Sequence, residues 1–184
     1  MEADWEFDIG GDAPVIEAYW TGFVNVRAHP ERISELSECR ELPALADALV
    51  ILNGEDSPVW TSKTDVFIPE RIDPDEIAAS TDEVAHAMAC YIDLLPIRDR
   101  PWTDLETAER ACKQICAGLR SIDLPRCRVD VVVRRAVLAE GDELAATVYF
   151  TACGLTDANA RSRLDDCLDV FTALMVSRDL DIRK

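Results

Sequence analysis

Cys127-Arg128-Val129-Asp130-Val131-Val132-Val133-Arg134, followed beyond Glu140-Gly141-Asp142 by the run Leu144 to Ala152, is the stretch on which the fold turns. Cys127, Val129, Val131 and Val133 alternate with Arg128, Asp130, Val132 and Arg134, and alternation of period two marks a strand with one apolar and one polar face. The acidic, glycine-containing turn then reverses the chain, so Arg126 to Leu138 and Leu144 to Ala152 read as an antiparallel hairpin.

The flanks of this hairpin are helical. Ahead of it, Leu105, Ala108, Cys112, Ile115 and Leu119 recur at helical spacing behind the capping-box pair Thr103 and Glu106, which predicts an amphipathic helix over Thr103 to Arg120. Behind it, Thr156 is a candidate N-cap for a helix carrying Leu164, Leu168, Phe171 and Met175 on one face. Ser80 and Glu83 also have capping-box spacing, but Met88, Cys90, Ile92 and Leu94 alternate, and Val84 to Leu95 is expected to be a strand. The order strand, helix, strand, strand, helix predicts an α+β fold. Its sheet should be mainly antiparallel with the helices on one face, in the manner of a ferredoxin-like sandwich.

The first half should complete this sheet. Trp5, Phe7 and Ile9 alternate as a short strand that Gly10-Gly11-Asp12 would turn into a hairpin, and Val15 to Val26 reads as extended, with Gly22 at a bulge or a close backbone approach. Pro30 and Pro43 each open a helix, the second carrying Leu45, Leu49 and Leu52 and ending at Asn53-Gly54. Ser57 to Ile68 reads as a strand with Val59, Thr61 and Lys63 on one face and Trp60, Ser62 and Thr64 on the other, and Asp73-Pro74 as the start of a short helix. Both halves share a loose strand, helix, strand order, which admits two related α+β units. No residue-level repeat supports that, and no low-complexity linker divides the chain, so residues 1–184 are expected to form one domain.

Composition excludes several classes of protein. Apolar residues make up 48% and charged residues 30% of the 184, the balance of a folded globule. No apolar run approaches the roughly 20 residues of a membrane helix, and the start MEADWEFDIG is acidic where a signal peptide is basic, so a cytoplasmic location is expected. A formal net charge of −17 argues against nucleic acid and anionic membrane surfaces as partners. The seven cysteines lack the close pairing of a secreted framework and read as reduced and buried. Cys112 and Cys116 sit four apart on a helix without a matching Cys or His pair, so neither a metal nor a cofactor is expected. Abundant Ala and Arg beside only three lysines suggest a bacterial gene of high GC content.

The residues that could carry chemistry are few. Arg120, Arg126, Arg128, Arg134 and Arg135 face only Asp123 and Asp130 within their own stretch, a local excess of positive charge in an acidic chain. Arg128 and Arg134 point to the polar strand face, where guanidinium groups can hold a carboxylate or phosphate bidentately, or else pair with surplus acids. The run Pro58 to Asp65 adds Trp60 and Lys63, the latter a candidate anion hook or base. Cys153, just ahead of the last helix, is a candidate nucleophile, although His29 and His86 have no spacing that predicts contact with it. Phosphate-loop patterns are absent. These features lead to an expected non-enzymatic binding or interaction module, self-associating as a homodimer, with Arg128, Arg134, Lys63 and Trp60 as ligand-binding candidates. The alternative is a small enzyme acting on an anionic metabolite, with Lys63 and Cys153 as its catalytic candidates.

Overall fold

The computed structural model describes residues 1–11, 14–17, 22–97, 102, 104–138 and 141–177. In chain order these form β1 (Glu2–Asp8), β2 (Val15–Ile16), a 3-10 helix (Pro30–Glu35), α1 (Ser37–Glu41), α2 (Pro43–Leu52), β3 (Val59–Phe67), a second 3-10 helix (Pro74–Ile77) and α3 (Thr81–Val84). There follow β4 (His86–Pro96), α4 (Leu105–Arg120), β5 (Cys127–Leu138), β6 (Gly141–Gly154) and α5 (Asp157–Val176).

All six strands belong to one sheet of order β1-β5-β6-β4-β3, with β2 also on β5. The pairs β5–β6, β6–β4 and β4–β3 are antiparallel, whereas β1 and β2 run parallel to β5, so the sheet is mixed where a mainly antiparallel one was expected. The cause lies at Gly10-Gly11. Instead of folding back as a hairpin, the chain leaves β5 after Asp8, opposite Arg134, and rejoins it at Val15, opposite Ala136. β1 and β2 are thus two pieces of one edge with a detour between them; Asp12 lies outside the described residues.

One sheet face is apolar and carries the helices. Val129, Val131 and Val133 of β5, Ala146, Val148 and Phe150 of β6 and Cys90, Ile92 and Leu94 of β4 are buried beneath Leu45 and Leu49 of α2, Cys112 and Ile115 of α4 and Leu164 and Phe171 of α5. Phe150 meets Phe171 edge to face at 5.0 Å, a geometry suited to the opposed charges of ring edge and ring face. Burial of an aromatic ring of this kind is worth about 3–5 kcal/mol against truncation to Ala.

Local signals explain most boundaries. Thr156 accepts from the Asn159 amide and starts α5, and the Ser80–Glu83 capping box is formed, but it opens only the single turn of α3 before β4 begins. The cap of α4 is Asp104, whose carboxylate accepts from the Thr107 amide at 2.8 Å, in place of the expected Thr103, which lies outside the described residues. The stretch from Val15 to Val26 is strand only at Val15–Ile16; residues 18–21 lie outside the described residues, and Asn25 turns the chain by accepting from the Ala28 and His29 amides. Gly22 has φ +92°, a conformation that side chains with a Cβ rarely adopt, and among the described residues no close approach accounts for it.

The even alternation expected of β3 is broken. Asn53, at the end of α2, accepts from the Thr61 amide at 3.1 Å and donates to its hydroxyl at 2.6 Å, and the register against β4 shifts between Thr61 and Thr64. Thr61 and Thr64 therefore lie opposite Leu94 and Ile92, two residues of the helix-covered face. Ser62 and Lys63 form the bulge between them, and a bulge re-aims the side chains it carries.

Candidate functional site

The face without helices is where the polar residues gather. Directly paired strand positions share a face, so Asp4 and Asp8 of β1, Arg128, Asp130 and Arg134 of β5, Thr147 and Tyr149 of β6 and Tyr91 and Asp93 of β4 form one surface. It is not flat. The peptide group joining Ile16 to Glu17 donates through the Glu17 amide to Val137 of β5 at 3.0 Å, and its carbonyl accepts from Ser62 Oγ of β3 at 2.5 Å. In a flat sheet two strands three places apart stand roughly 14 Å from each other, so this bridge requires the open face to curl into a cup.

The cup is layered. Two residues along the strands from Arg134, Asp93 and Thr147, the side chains of Ala136, Leu95 and Ala145 form with Val15 an apolar plug, against which Trp60 and Leu138 pack. Above the plug lies a cavity of about 540 Å³ lined by Pro14, Ile16, Ser62, Lys63, Asp93, Arg134, Thr147, Tyr91 and Tyr149. The two tyrosine rings are 5.8 Å apart and tilted. A neighbouring depression of about 440 Å³, lined by Asp4, Glu6, Arg128, Asp130 and Val132 among others, shares Arg134 and Tyr149 with it.

The electrostatics of the cup centre on Asp93. Burial holds its carboxyl above the usual aspartate range, and the Thr147 hydroxyl at 2.6 Å and the charges of Arg134 and Lys63 pull only part of the way back. Burial, with Asp93 and Asp65 nearby, pushes the Tyr91 phenol up to about 12, so it stays a neutral hydroxyl. Arg134 is directed by Tyr149, whose hydroxyl accepts from it at 3.3 Å, and by the Asp8 carboxylate at 3.8 Å.

The structure therefore sorts the residues singled out in the sequence. Lys63 and Arg134, far apart in the chain, line the same cavity. Arg128 stands in the neighbouring depression, where its Nε donates to both oxygens of Asp130 at 2.8 and 2.9 Å and a terminal nitrogen lies 3.3 Å from Glu76. Trp60 belongs to the plug below the cavity. Of the other arginines in the cluster, Arg120 donates to the Ala3 carbonyl and faces Asp4, and Arg126 pairs with Glu83, so the local excess of positive charge is met by acids from elsewhere in the chain.

Cys153 lies apart from this group. It is fully buried, and burial together with Glu83 raises its thiol despite Arg163 and Arg126 nearby, which is the opposite of an activated thiolate. His86 pairs with Asp157 at 2.8 Å, yet Ala87, not His86, stands opposite Cys153 in the β4–β6 register, so the imidazole and the thiol project to opposite faces. All seven cysteines are buried and free.

Asp93, Tyr91, Thr147 and Tyr149 were missed by the sequence reading. One signal was present: Cys90-Tyr91-Ile92-Asp93-Leu94-Leu95 sets an aspartate inside an otherwise apolar strand, a position that needs partners. Among the described residues no helix is long and apolar enough to cross a membrane. Compared with protein-family models, with curated proteins and with solved structures, the chain matches none.

Proposed function

We propose that the protein is a non-enzymatic binding module whose ligand is a small anion, a carboxylate or phosphate, taken into the cup between Lys63 and Arg134. One observation carries this reading: Lys63 from the bulge in β3 and Arg134 from β5 line one cavity of about 540 Å³ in a chain of net charge −17. Tyrosine hydroxyls and the Thr147 hydroxyl supply hydrogen bonds around them, and Ile16 and Pro14 supply apolar wall, the mixture typical of a small-molecule pocket. Arg128, held by Asp130 and Glu76 in the neighbouring depression, stands outside this pair of cations.

A thermal-shift titration with a panel of carboxylates and inorganic phosphate tests it. The wild type should gain stability with ligand as mass action requires, and Lys63→Met and Arg134→Gln should each fold and lose the response. Equal responses in all three proteins would sink the reading.

The wider setting we propose is a cytoplasmic bacterial protein acting as a homodimer, without nucleic-acid or membrane partners. Its support is the acidity of the chain and the two outer strands of the sheet, β1 and β3, whose edges a second copy can extend. A strictly monomeric species in sedimentation at tens of micromolar would remove the dimer. A ferredoxin-like relationship belongs to the same proposal. It is supported by β4-α4-β5-β6-α5, in which β6 lies between β4 and β5, while β3 precedes this unit in the chain and flanks β4 on its other side.

A second reading, a small enzyme acting on an anionic metabolite, is favoured by Asp93. A carboxyl held above its usual range beside two cations is a fit proton acceptor. Turnover of a carboxylate or phosphate ester that Asp93→Asn abolishes would establish it; binding without turnover leaves the module.

A further inference from the structure

Asp93 is an unexpected group to find in a cup for anions. It shares the cavity with Lys63 and Arg134 and accepts from Thr147 through Oδ1. The charged and titratable groups around it come from five strands: Tyr91 on β4 itself, Tyr149 on β6, Arg134 on β5, Asp8 of β1 behind Arg134, and Lys63 with Asp65 on β3. While the cup is empty, the two cations support the Asp93 carboxylate against its burial. A carboxylate ligand seated between them draws on the same two charges and adds a negative charge beside a carboxylate that is already partly buried. Two carboxylates sharing such a site do not both stay ionised.

Resting on the binding reading above, we propose that Asp93 takes up a proton from solvent when a carboxylate enters the cup, so that ligand and proton bind together. The proton goes to Oδ2, because Oδ1 already accepts from Thr147. The new O–H then donates to a ligand oxygen, a short charge-assisted bond between an acid and a carboxylate. The charge of the cup is the same before and after binding, which spares the protein an added negative charge at a partly buried position.

The coupling fixes the pH dependence. Where Asp93 is protonated in the complex and ionised in the free protein, affinity falls about tenfold for each unit of rising pH. Below the free-state titration of Asp93 the affinity is flat and highest, because the proton is already in place.

Calorimetric titration of the full chain with benzoate, ionised throughout the range from about pH 6 to pH 8, provides the test. Repeating it in buffers of different ionisation heat counts the protons taken up. The expected result is uptake approaching about one proton per benzoate in the wild type, with affinity weakening as pH rises. Asp93→Asn should bind benzoate with no uptake and a flat pH profile. Benzoate bound by the wild type without proton uptake, and lost in Lys63→Met, would overturn the coupling while leaving the cup as an anion site. No benzoate binding at any pH would overturn both. Phenylalanine binding more tightly than 3-phenylpropionate, again without uptake, would put a ligand ammonium beside Asp93 and overturn the proposal. If Asp93→Asn fails to fold, proton counting on the wild type still decides.

Discussion

Thr147 Oγ1 donates to Asp93 Oδ1 across 2.6 Å between β6 and β4, at directly paired positions of the open sheet face. A hydroxyl donor of this kind favours the ionised carboxylate by an amount on the order of 1 kcal/mol. Desolvation outweighs it, since the carboxyl of Asp93 remains above the ordinary range. The native protein therefore holds this proton more firmly than the unfolded chain does.

The sign of the resulting pH effect follows from linkage. A group raised by folding contributes stability that is fully present below its unfolded value, about 3.9 for aspartate, and is lost as pH rises through its folded value. Asp93→Asn removes the titration while keeping an oxygen that can accept from Thr147. Urea denaturation should show the variant gaining on the wild type as pH rises from about 4 to about 7. A difference that stays constant or narrows over that window would contradict the account.

Glu83 behaves in the opposite sense. The Ser80 amide, the Ser80 hydroxyl and Arg126 all hold its carboxylate below the usual range, so the stability it contributes is present above about pH 4.3 and lost as pH falls through its folded value. Glu83→Gln should lower the melting temperature at neutral pH, and the deficit should close on acidification. Ser80→Ala, which removes the cap of α3, should cost about 1 kcal/mol. Equal deficits of Glu83→Gln at acid and neutral pH would show that packing, not charge, decides.

Close approach at the end of β6 makes a third case. A Cβ on Gly154 would lie 2.6 Å from the Asn159 Cβ and 3.0 Å from the Ala160 nitrogen, both in the first turn of α5. Gly154→Ala should destabilise the fold by about 1–3 kcal/mol, because strand and helix must separate to admit the methyl. In a chain of this size each kcal/mol shifts the melting temperature by about 2–4 °C. An unchanged melting temperature would mean that the α5 start yields freely.

How legible this was in the sequence differs between the two sheet faces. Alternation in β4, β5 and β6 is dictated by burial under α4 and α5, so Cys90, Val129 and Val148 declare their side in the residues themselves. The mixed edge was not legible, since Gly10-Gly11 allows a hairpin or a detour alike, and only the pairing of Val15 with Ala136 distinguishes them. Strict alternation puts Lys63 on one face with Val59 and Thr61, and no residue at the bulge itself marks the break in that alternation. The cause sits eight residues before Thr61, where the Asn53 amide takes the hydrogen bonds of that strand position. Asp93 is marked in the sequence only as an aspartate among the apolar residues of its strand, and what it does there emerges once its partners from β3, β5 and β6 are assembled in space.

The peptide group between Ile16 and Glu17 is the strap that keeps the cup rolled, and its two hydrogen bonds can be cut separately. Ser62→Ala removes the bond to β3 while leaving the β2–β5 pairing, so its cost to global stability should be about 1 kcal/mol. Val15→Ala empties part of the apolar plug and should cost about 2 kcal/mol, since Val15 is almost wholly buried against Leu95, Ala136 and Ala145. The informative readout is local. Hydrogen exchange of the Glu17 amide, which donates to Val137, should quicken in Ser62→Ala while amides in the middle of β5 and β6 keep their protection, because loss of one anchor frees the strap without unrolling the core pairs. If Glu17 exchange is unchanged in Ser62→Ala, the bond to β3 does not hold the strap, and the curl of the sheet must come from its own twist.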